Sequence, residues 1–74
     1  MHSHETESIE IVLNGEIRQV PAGLSILALL HELGIEPDRV AIELNREIVR
    51  RPAWESTGVG PQAAIEIVQF VGGG

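Results

Sequence analysis

The 74-residue sequence contains no cysteine, no lysine and no tyrosine, and only 3% of its residues are aromatic. Without cysteine the chain can form no disulfide, no thiolate metal site and no thiol nucleophile, and this composition fits a reducing cytoplasm. Because aromatic side chains are so few, the core has to be built from isoleucine, leucine and valine.

The length of the chain limits what it can do alone. A chain of this size forms one small domain, which buries only about 60% of the surface of its unfolded state. Such a domain has no room for a deep substrate cavity beside its core. We therefore expect a protein that works together with a partner and has no catalytic activity of its own.

The charge of the chain is strongly one-sided. Eleven acidic residues against five arginines give a net charge of -6 and a pI near 4.8. This charge repels phosphate backbones and anionic lipids, so it disfavours a nucleic acid or a membrane as the ligand and favours a basic partner surface. The sequence has neither an apolar run of membrane-spanning length nor a signal-like start, and we expect a cytoplasmic protein.

A β-hairpin is predicted near the start of the chain. Residues 1–8 are polar and lack periodicity, so we expect a disordered arm there, with a His-Ser-His pair of uncertain origin. Residues 9–13 alternate between apolar and polar side chains, as a half-buried strand does. Asn14-Gly15 favours a tight turn with positive φ angles, after which residues 16–20 supply a second strand that ends at Pro21.

A short amphipathic helix follows, with signals at both ends. Ser25 is a good N-cap, and Gly34 lies where a left-handed C-terminal residue is favoured. Between them Ile26, Leu29, Leu30 and Leu33 follow the i, i+3, i+4, i+7 spacing of one buried face. These signals predict a helix over Ile26–Leu33 that packs on a sheet.

The remaining elements complete an α+β fold. Residues 40–44 and 48–50 are predicted to form a second hairpin, and residues 64–71 a last strand. A single helix between two hairpins, with the last strand beside the first, gives a ubiquitin-like β-grasp, a mixed sheet of four to five strands on one main helix. We expect this domain to span residues 9–71 and a flexible glycine tail to span residues 72–74.

The last residues carry the most information about function. A strand leads directly into Gly72, Gly73 and Gly74. A glycine tail can enter a narrow channel of a partner and present its α-carboxylate, which is ionised at neutral pH with a reference pKa of about 3.3 to 3.7. Such a carboxylate can attack the α-phosphorus of ATP to form an acyl adenylate in a site that a partner supplies. The alternative is an unstructured end without a function.

Several short motifs, in their order and spacing, resemble one known family over residues 9–74. The sequence is similar to the ThiS family, the bacterial sulfur carrier proteins of thiamine biosynthesis. The motifs are Leu13-Asn14-Gly15-Glu16, the helix from Ser25 to Gly34, Val40-Ala41-Ile42-Glu43-Leu44-Asn45, Glu47-Ile48-Val49, Arg51, Trp54 and the Gly-Gly ending.

The resemblance implies a ubiquitin-like β-grasp protein whose terminal glycine, Gly74, is adenylated by an E1-like adenylyltransferase with ATP. It further implies that persulfide sulfur from a cysteine desulfurase, or from another sulfur source, converts the acyl adenylate to a thiocarboxylate. Thiazole synthase then consumes that thiocarboxylate. In this interpretation Gly73 and Gly72 keep the tail slim, and no cofactor is bound by the carrier itself.

The sequence departs from the family pattern in two turns. Gln62-Ala63 stands where the family usually has Gly-Asp, and Asn45-Arg46-Glu47 stands where it has Asn-Gly-Glu. These changes concern local turn geometry rather than the proposed chemistry. The absence of lysine suits a carrier that must not acylate its own kind, although an arginine-biased composition explains the absence equally well.

The last strand also offers a docking surface. If Ile65 and Ile67 face the helix, alternation places Glu66, Val68 and Phe70 on the outer face. An exposed apolar stripe with an acidic edge, next to the tail, is typical of a partner site. The alternative is that the chain's own loops cover these side chains.

The sequence contains no strong catalytic or metal-binding constellation. His2, His4 and His31 are poorly placed for a metal site, because two lie in the arm and one lies on a helix surface. Ser25 has a capping role and no evident base, and Trp54 is interpreted as a plug over the edge of the core.

Three alternative functions remain open on the sequence alone. The first is a sulfur carrier of the molybdopterin-synthase small-subunit type, which has the same fold and diglycine end. The second is a ubiquitin-like protein modifier that forms isopeptide bonds with lysines. The third is a β-grasp module that binds partners without covalent chemistry.

Overall fold

Two tight hairpins and one helix organise the chain in a computed structural model that describes residues 7–70. In each hairpin, both central turn residues have positive φ angles: 49° and 84° at Asn14 and Gly15, and 51° and 73° at Asn45 and Arg46. This is the pattern of two-residue type I′ turns, whose twist matches that of the strands they join. The elements are β1 (Ser8–Leu13), β2 (Glu16–Pro21), α1 (Ile26–Leu33), a 3-10 turn (Pro37–Arg39), β3 (Val40–Leu44), β4 (Glu47–Val49), a second 3-10 turn (Arg51–Ala53) and β5 (Ala64–Gln69).

The five strands form one mixed sheet in the order β2-β1-β5-β3-β4. Strand β5 lies in the centre, parallel to β1 on one side and antiparallel to β3 on the other. The two hairpins therefore flank the last strand, as the sequence predicts, and the α+β β-grasp architecture is confirmed.

Helix α1 has the bounds and caps that the sequence predicts. The Ser25 hydroxyl accepts a hydrogen bond from the Ala28 N–H at 3.1 Å, which satisfies one donor of the first turn. Gly34 is left-handed, with φ of 72°, and its N–H reaches back to the carbonyls of the last turn. Ile26, Leu29 and Leu30 are buried, whereas Leu33 is half-buried at the edge of the core.

The core lies between the helix and one face of the sheet. Trp54 closes its edge as predicted, because its side chain is buried and its indole N–H donates to the Val49 carbonyl at 2.8 Å. Leu13, which the alternation of residues 9–13 places on the same face as Ile11, is only half-buried at the end of β1. The buried apolar residues are Ile11, Val20, Ile26, Leu29, Leu30, Val40, Ile42, Trp54, Val59, Ala63, Ile65 and Ile67.

Some element boundaries differ from the sequence prediction by one or two residues. Ser8, which we assigned to the arm, belongs to β1 and pairs with Pro21. Strand β4 begins at Glu47, because a two-residue turn pairs Leu44 directly with Glu47. It ends at Val49, one residue earlier than predicted. Strand β5 ends at Gln69, and the predicted strand residue Val71 lies outside the described residues.

Candidate functional site

Strand β5 presents two chemically different faces. Ile65 and Ile67 are buried against the helix, and Glu66, Val68 and Phe70 point away from it. Val68 is 56% exposed and Phe70 is 58% exposed, so no loop among residues 7–70 covers them. The structure therefore places the three predicted docking residues on one exposed face, although their role in docking stays a prediction.

Hydrogen bonds to strand β3 hold this face in register to its last described residue. The Asn45 N–H donates to the Ala64 carbonyl at 2.7 Å, and the Phe70 N–H donates to the Arg39 carbonyl at 2.8 Å. Because hydrogen-bonded pairs in an antiparallel ladder recur at every second residue, Glu66 and Val68 also point their backbone groups toward β3. Phe70 is thus anchored although it lies beyond the end of β5.

A side chain anchors the opposite edge of β5. Strand β1 pairs with β5 only at Val12 and Leu13, opposite Ala64 and Ile65. Beyond that point the Asn14 amide replaces the backbone: its Oδ1 accepts from the Ile67 N–H at 2.7 Å, and its Nδ2 donates to the Ile67 carbonyl at 3.2 Å. One turn residue therefore extends the ladder by one step toward the end of β5.

The outer face of the sheet contains further exposed apolar side chains that our sequence analysis did not single out. Ile48 on β4 is 76% exposed, and Ile17 on β2 is 70% exposed. Ile48 lies opposite Glu43 on β3, and Ile17 lies opposite Val12 on β1. Alternation within each strand predicts that Ile17 and Ile48 point away from the core side of their strands. Only the order and register of the strands show that both share a face with Val68.

The same face is acidic near its centre. Glu43 on β3 lies directly opposite Glu66 on β5, and both side chains are exposed. Within residues 7–70 one ion pair is present, between Arg51 and Asp38 at 2.5 Å, and it involves neither glutamate. The exposed face therefore combines apolar side chains with an acidic pair that forms no ion pair with an arginine of the described chain.

The predicted reactive end, Gly74, and its supporting residues Gly73 and Gly72 lie outside the described residues. Their roles stay predictions. The described part of the chain ends at Phe70, which is held by its hydrogen bond to Arg39.

The other candidates have structural roles or stay untested. Ser25 caps α1, and His31 is exposed in the last turn of that helix. Within residues 7–70 no group of three or more histidine, cysteine or acidic side chains is arranged to hold a metal ion. His2 and His4 lie outside the described residues. None of the helices in this part of the chain is long and apolar enough to cross a membrane.

Comparisons with known proteins agree on one family. A model described as the ThiS family matches residues 11–74. The crystal structure of the thiamine biosynthesis protein (ThiS) from Geobacter metallireducens is 32% identical to this chain and superimposes on it with a TM-score of 0.77. The superposition covers 89% of this chain and 100% of that protein. The solution NMR structure of a thiamine biosynthesis protein from the same organism has a TM-score of 0.74 at the same identity, with 89% of this chain and 88% of that chain covered.

Two curated relatives extend the comparison. A thiazole synthase from Paramagnetospirillum magneticum is 41% identical over 66 residues, which are 89% of this chain and 20% of that protein. This chain therefore spans about a fifth of the length of that thiazole synthase. The uncharacterized protein ycf40 of Porphyra purpurea is 35% identical over 68 residues, which are 92% of this chain and 96% of that protein.

Proposed function

This chain belongs to the ThiS family, and from that premise we propose that it is a sulfur carrier protein of thiamine biosynthesis. It acts as a protein co-substrate and not as an enzyme. The observation that carries the proposal is that the family match extends through the glycine end to residue 74, while the fold matches a thiamine biosynthesis protein over that protein's whole length.

The proposed chemistry takes place at the carboxylate of Gly74. An oxygen of that carboxylate attacks the α-phosphorus of ATP in an E1-like adenylyltransferase, pyrophosphate leaves, and an acyl adenylate forms. The terminal sulfur of a persulfide, made by a cysteine desulfurase or another sulfur source, then attacks the acyl carbon and displaces AMP. A thiol cleaves the resulting acyl disulfide by exchange and releases the thiocarboxylate, whose sulfur thiazole synthase uses.

The described residues support this proposal through the exposed face of β5, which leads to Phe70, the last described residue. Phe70 and Val68 offer an apolar contact area, and Glu66 adds a negative charge next to them. An exposed apolar stripe of this kind is typical of a surface that binds a protein partner. Docking there leaves Gly72 and Gly73 to pass through a channel too narrow for side chains. We propose a reducing cytoplasm as the location of the carrier, because ATP and persulfide sulfur are both available there.

The experiment compares ATP–pyrophosphate exchange by the adenylyltransferase of the same host with different carrier variants. Deletion of Gly74, or Gly73→Trp, should abolish exchange and leave thermal unfolding unchanged, because the buried core of the described residues is formed by side chains between Ile11 and Ile67. Gly60→Ala is a matched glycine control: a Cβ at Gly60 meets nothing within 4 Å. Full exchange activity of the Gly74 deletion would contradict the terminal-carboxylate mechanism.

Intact-mass spectrometry of the carrier purified from its host separates the proposal from its alternatives. Replacement of one oxygen atom by sulfur at the C-terminus indicates a thiocarboxylate, whereas adducts with the mass of another protein indicate a modifier. Thiazole formation in an extract that lacks the carrier, restored by adding it, distinguishes the thiamine pathway from molybdopterin synthesis.

A further inference from the structure

The acidic pair on the outer face of the sheet has a defined geometry. Glu43 and Glu66 are Cα partners in the β3–β5 ladder. The bonds from Asn45 to Ala64 and from Phe70 to Arg39 show that this pair is one of the hydrogen-bonded pairs of the ladder. Side chains of directly opposed residues leave the same face with Cβ atoms about 4.5–5.5 Å apart. The two carboxylates therefore point outward side by side.

Apolar side chains adjoin this pair on two sides. Ile48 is the Cα partner of Glu43 across the β3–β4 ladder, so the row across three strands is Ile48, Glu43 and Glu66. Val68 stands next to Glu66 on the same face of β5, two residues further along. Ile48 and Val68 are both among the exposed large apolar residues of the domain. We call the surface formed by Ile48, Glu43, Glu66 and Val68 the acidic seat.

A partner that covers the apolar side chains of the seat also covers its carboxylates. In water, like charges at this distance repel one another only weakly. Removal of water lowers the effective dielectric constant, and the repulsion grows roughly fourfold between bulk water and a protein surface. Burial of two carboxylates without a cation is therefore unfavourable, and no arginine within residues 7–70 forms an ion pair with either of them. A partner that docks here has to bring a positive charge of its own.

We propose that the acidic seat binds one arginine side chain of the activating adenylyltransferase, which lies between Glu43 and Glu66 while apolar partner atoms cover Ile48 and Val68. This inference rests on the proposed function and deepens it, because it states the chemistry of the partner surface. A guanidinium carries five N–H donors in a planar fork, so it can bond both carboxylates at once, which the point charge of a lysine does less well. The net charge of -6 on the carrier adds long-range attraction to a surface that also has to bind ATP.

The test measures the dissociation constant between the carrier and the host adenylyltransferase for Glu43→Gln, Glu66→Gln and the double variant. Each substitution keeps the size of the side chain and removes one charge. We expect each single variant to bind about tenfold more weakly, the typical effect of losing one hydrogen bond to a charged group. The salt dependence of binding should also become shallower. Exchange measured at limiting carrier should fall by a similar factor, because the carboxylate of Gly74 reaches the ATP site only in the docked complex.

Glu10→Gln is the matched control. Glu10 is exposed on β1, where it pairs with Gln19, outside the seat, and its substitution removes the same charge. We expect less than about a twofold change in its affinity, since distant surface charges are screened. The thermal midpoints of the seat variants should equal or exceed that of the wild type, because each removes one like-charge contact. This separates loss of binding from loss of folding.

The outcomes separate the two proposals. If the wild-type chain supports no exchange, the proposed function fails and the acidic seat fails with it. If exchange proceeds but the seat variants bind as tightly as Glu10→Gln, only the seat is overturned. Weaker binding to thiazole synthase alone, with unchanged affinity for the adenylyltransferase, also overturns the assignment of the partner.

Discussion

The two turn asparagines allow a paired test of what holds the last strand in place. Asn14 and Asn45 each occupy the first central position of a tight turn, with nearly equal φ angles of 49° and 51°. Asn14 both donates to and accepts from Ile67, whereas Asn45 accepts a side-chain hydrogen bond from the Ala64 N–H. Replacement of each asparagine by aspartate keeps the shape and the acceptor but removes the donor.

For Asn14→Asp the expected loss of free energy of unfolding follows from the contacts between Asn14 and Ile67. The Nδ2 donor disappears, and a carboxylate oxygen then faces the Ile67 carbonyl, which lies 3.2 Å from the Nδ2 in the wild type. A part-buried carbonyl left without its donor costs about 1–3 kcal/mol. We expect a loss of about 2 kcal/mol, which lowers the thermal midpoint by about 8–16 °C in a domain of this size.

For Asn45→Asp the expected loss is small. Within the described residues, the side chain of Asn45 makes one hydrogen bond, in which its Oδ1 accepts from the Ala64 N–H at 2.9 Å. An aspartate oxygen can accept the same bond. The bond is exposed, so solvent replaces what is lost. Aspartate also tolerates a left-handed turn position. We expect a change within about 0.5 kcal/mol, as for most surface substitutions.

The measurement is urea unfolding followed by the fluorescence of Trp54, the single tryptophan, which is buried in the folded state. Linear extrapolation gives the free energy of unfolding of each variant, and equal slopes confirm that the unfolded states are comparable. If Asn14→Asp and Asn45→Asp lose the same free energy, the amide of Asn14 does not anchor β5 in the manner described, and the reasoning fails.

Two further predictions concern the core and the second turn. Leu30→Ala, at a fully buried site, should cost about 2–5 kcal/mol in the same urea experiment, and an unchanged midpoint would place Leu30 outside the core. Arg46→Gly should stabilise the domain by about 0.5–1 kcal/mol, since Arg46 has a φ of 73° that favours glycine. Arg46→Ala removes the same charge without relieving the backbone, so an equal gain for both variants in thermal unfolding would contradict the strain argument.

Local signals in the sequence were sufficient for the regular elements. The side chain of Ser25 caps the start of α1, and the left-handed conformation of Gly34 ends the helix. Each of these interactions joins residues that are only three or four positions apart in the sequence. The Asn14-Gly15 pair likewise fixes the first hairpin because positive φ angles are a property of the residues themselves. Where the determinant is local, the sequence analysis and the structure agree.

The remaining features depend on contacts that are remote in sequence or on backbone strain that packing imposes. The bond between Asn14 and Ile67 joins residues 53 positions apart, and no local pattern predicts it. Arg46 and Gln62 adopt positive φ angles without being glycine, at 73° and 65°. The surrounding hairpin and the start of β5 impose these conformations, as is usual when tertiary contacts outweigh the local preference.

Only part of the candidate site could be predicted for the same reason. Alternation along β5 is local, and it placed Glu66, Val68 and Phe70 on the outer face correctly. The position of Glu43 and Ile48 beside them depends on the register between β3, β4 and β5, and a slip of one residue in either ladder would move them to the other face. The acidic seat is thus a property of the sheet, which no single strand reveals.

The central position of β5 has a direct consequence for the proposed carrier chemistry. The strand is held through Ile67 by Asn14 on one edge and through Phe70 by Arg39 on the other. The side chains that we propose for docking and the last anchored residue therefore lie on the same anchored strand. Four residues follow Phe70, and an extended chain gains at most about 3.3–3.6 Å per residue. Docking at Val68 and Phe70 therefore restricts the partner's reactive site to within about 14 Å of the end of the sheet. In the proposed mechanism, a partner whose ATP site lies farther than this from its docking surface does not reach Gly74, so the length of the chain after Phe70 limits which adenylyltransferases fit the proposal.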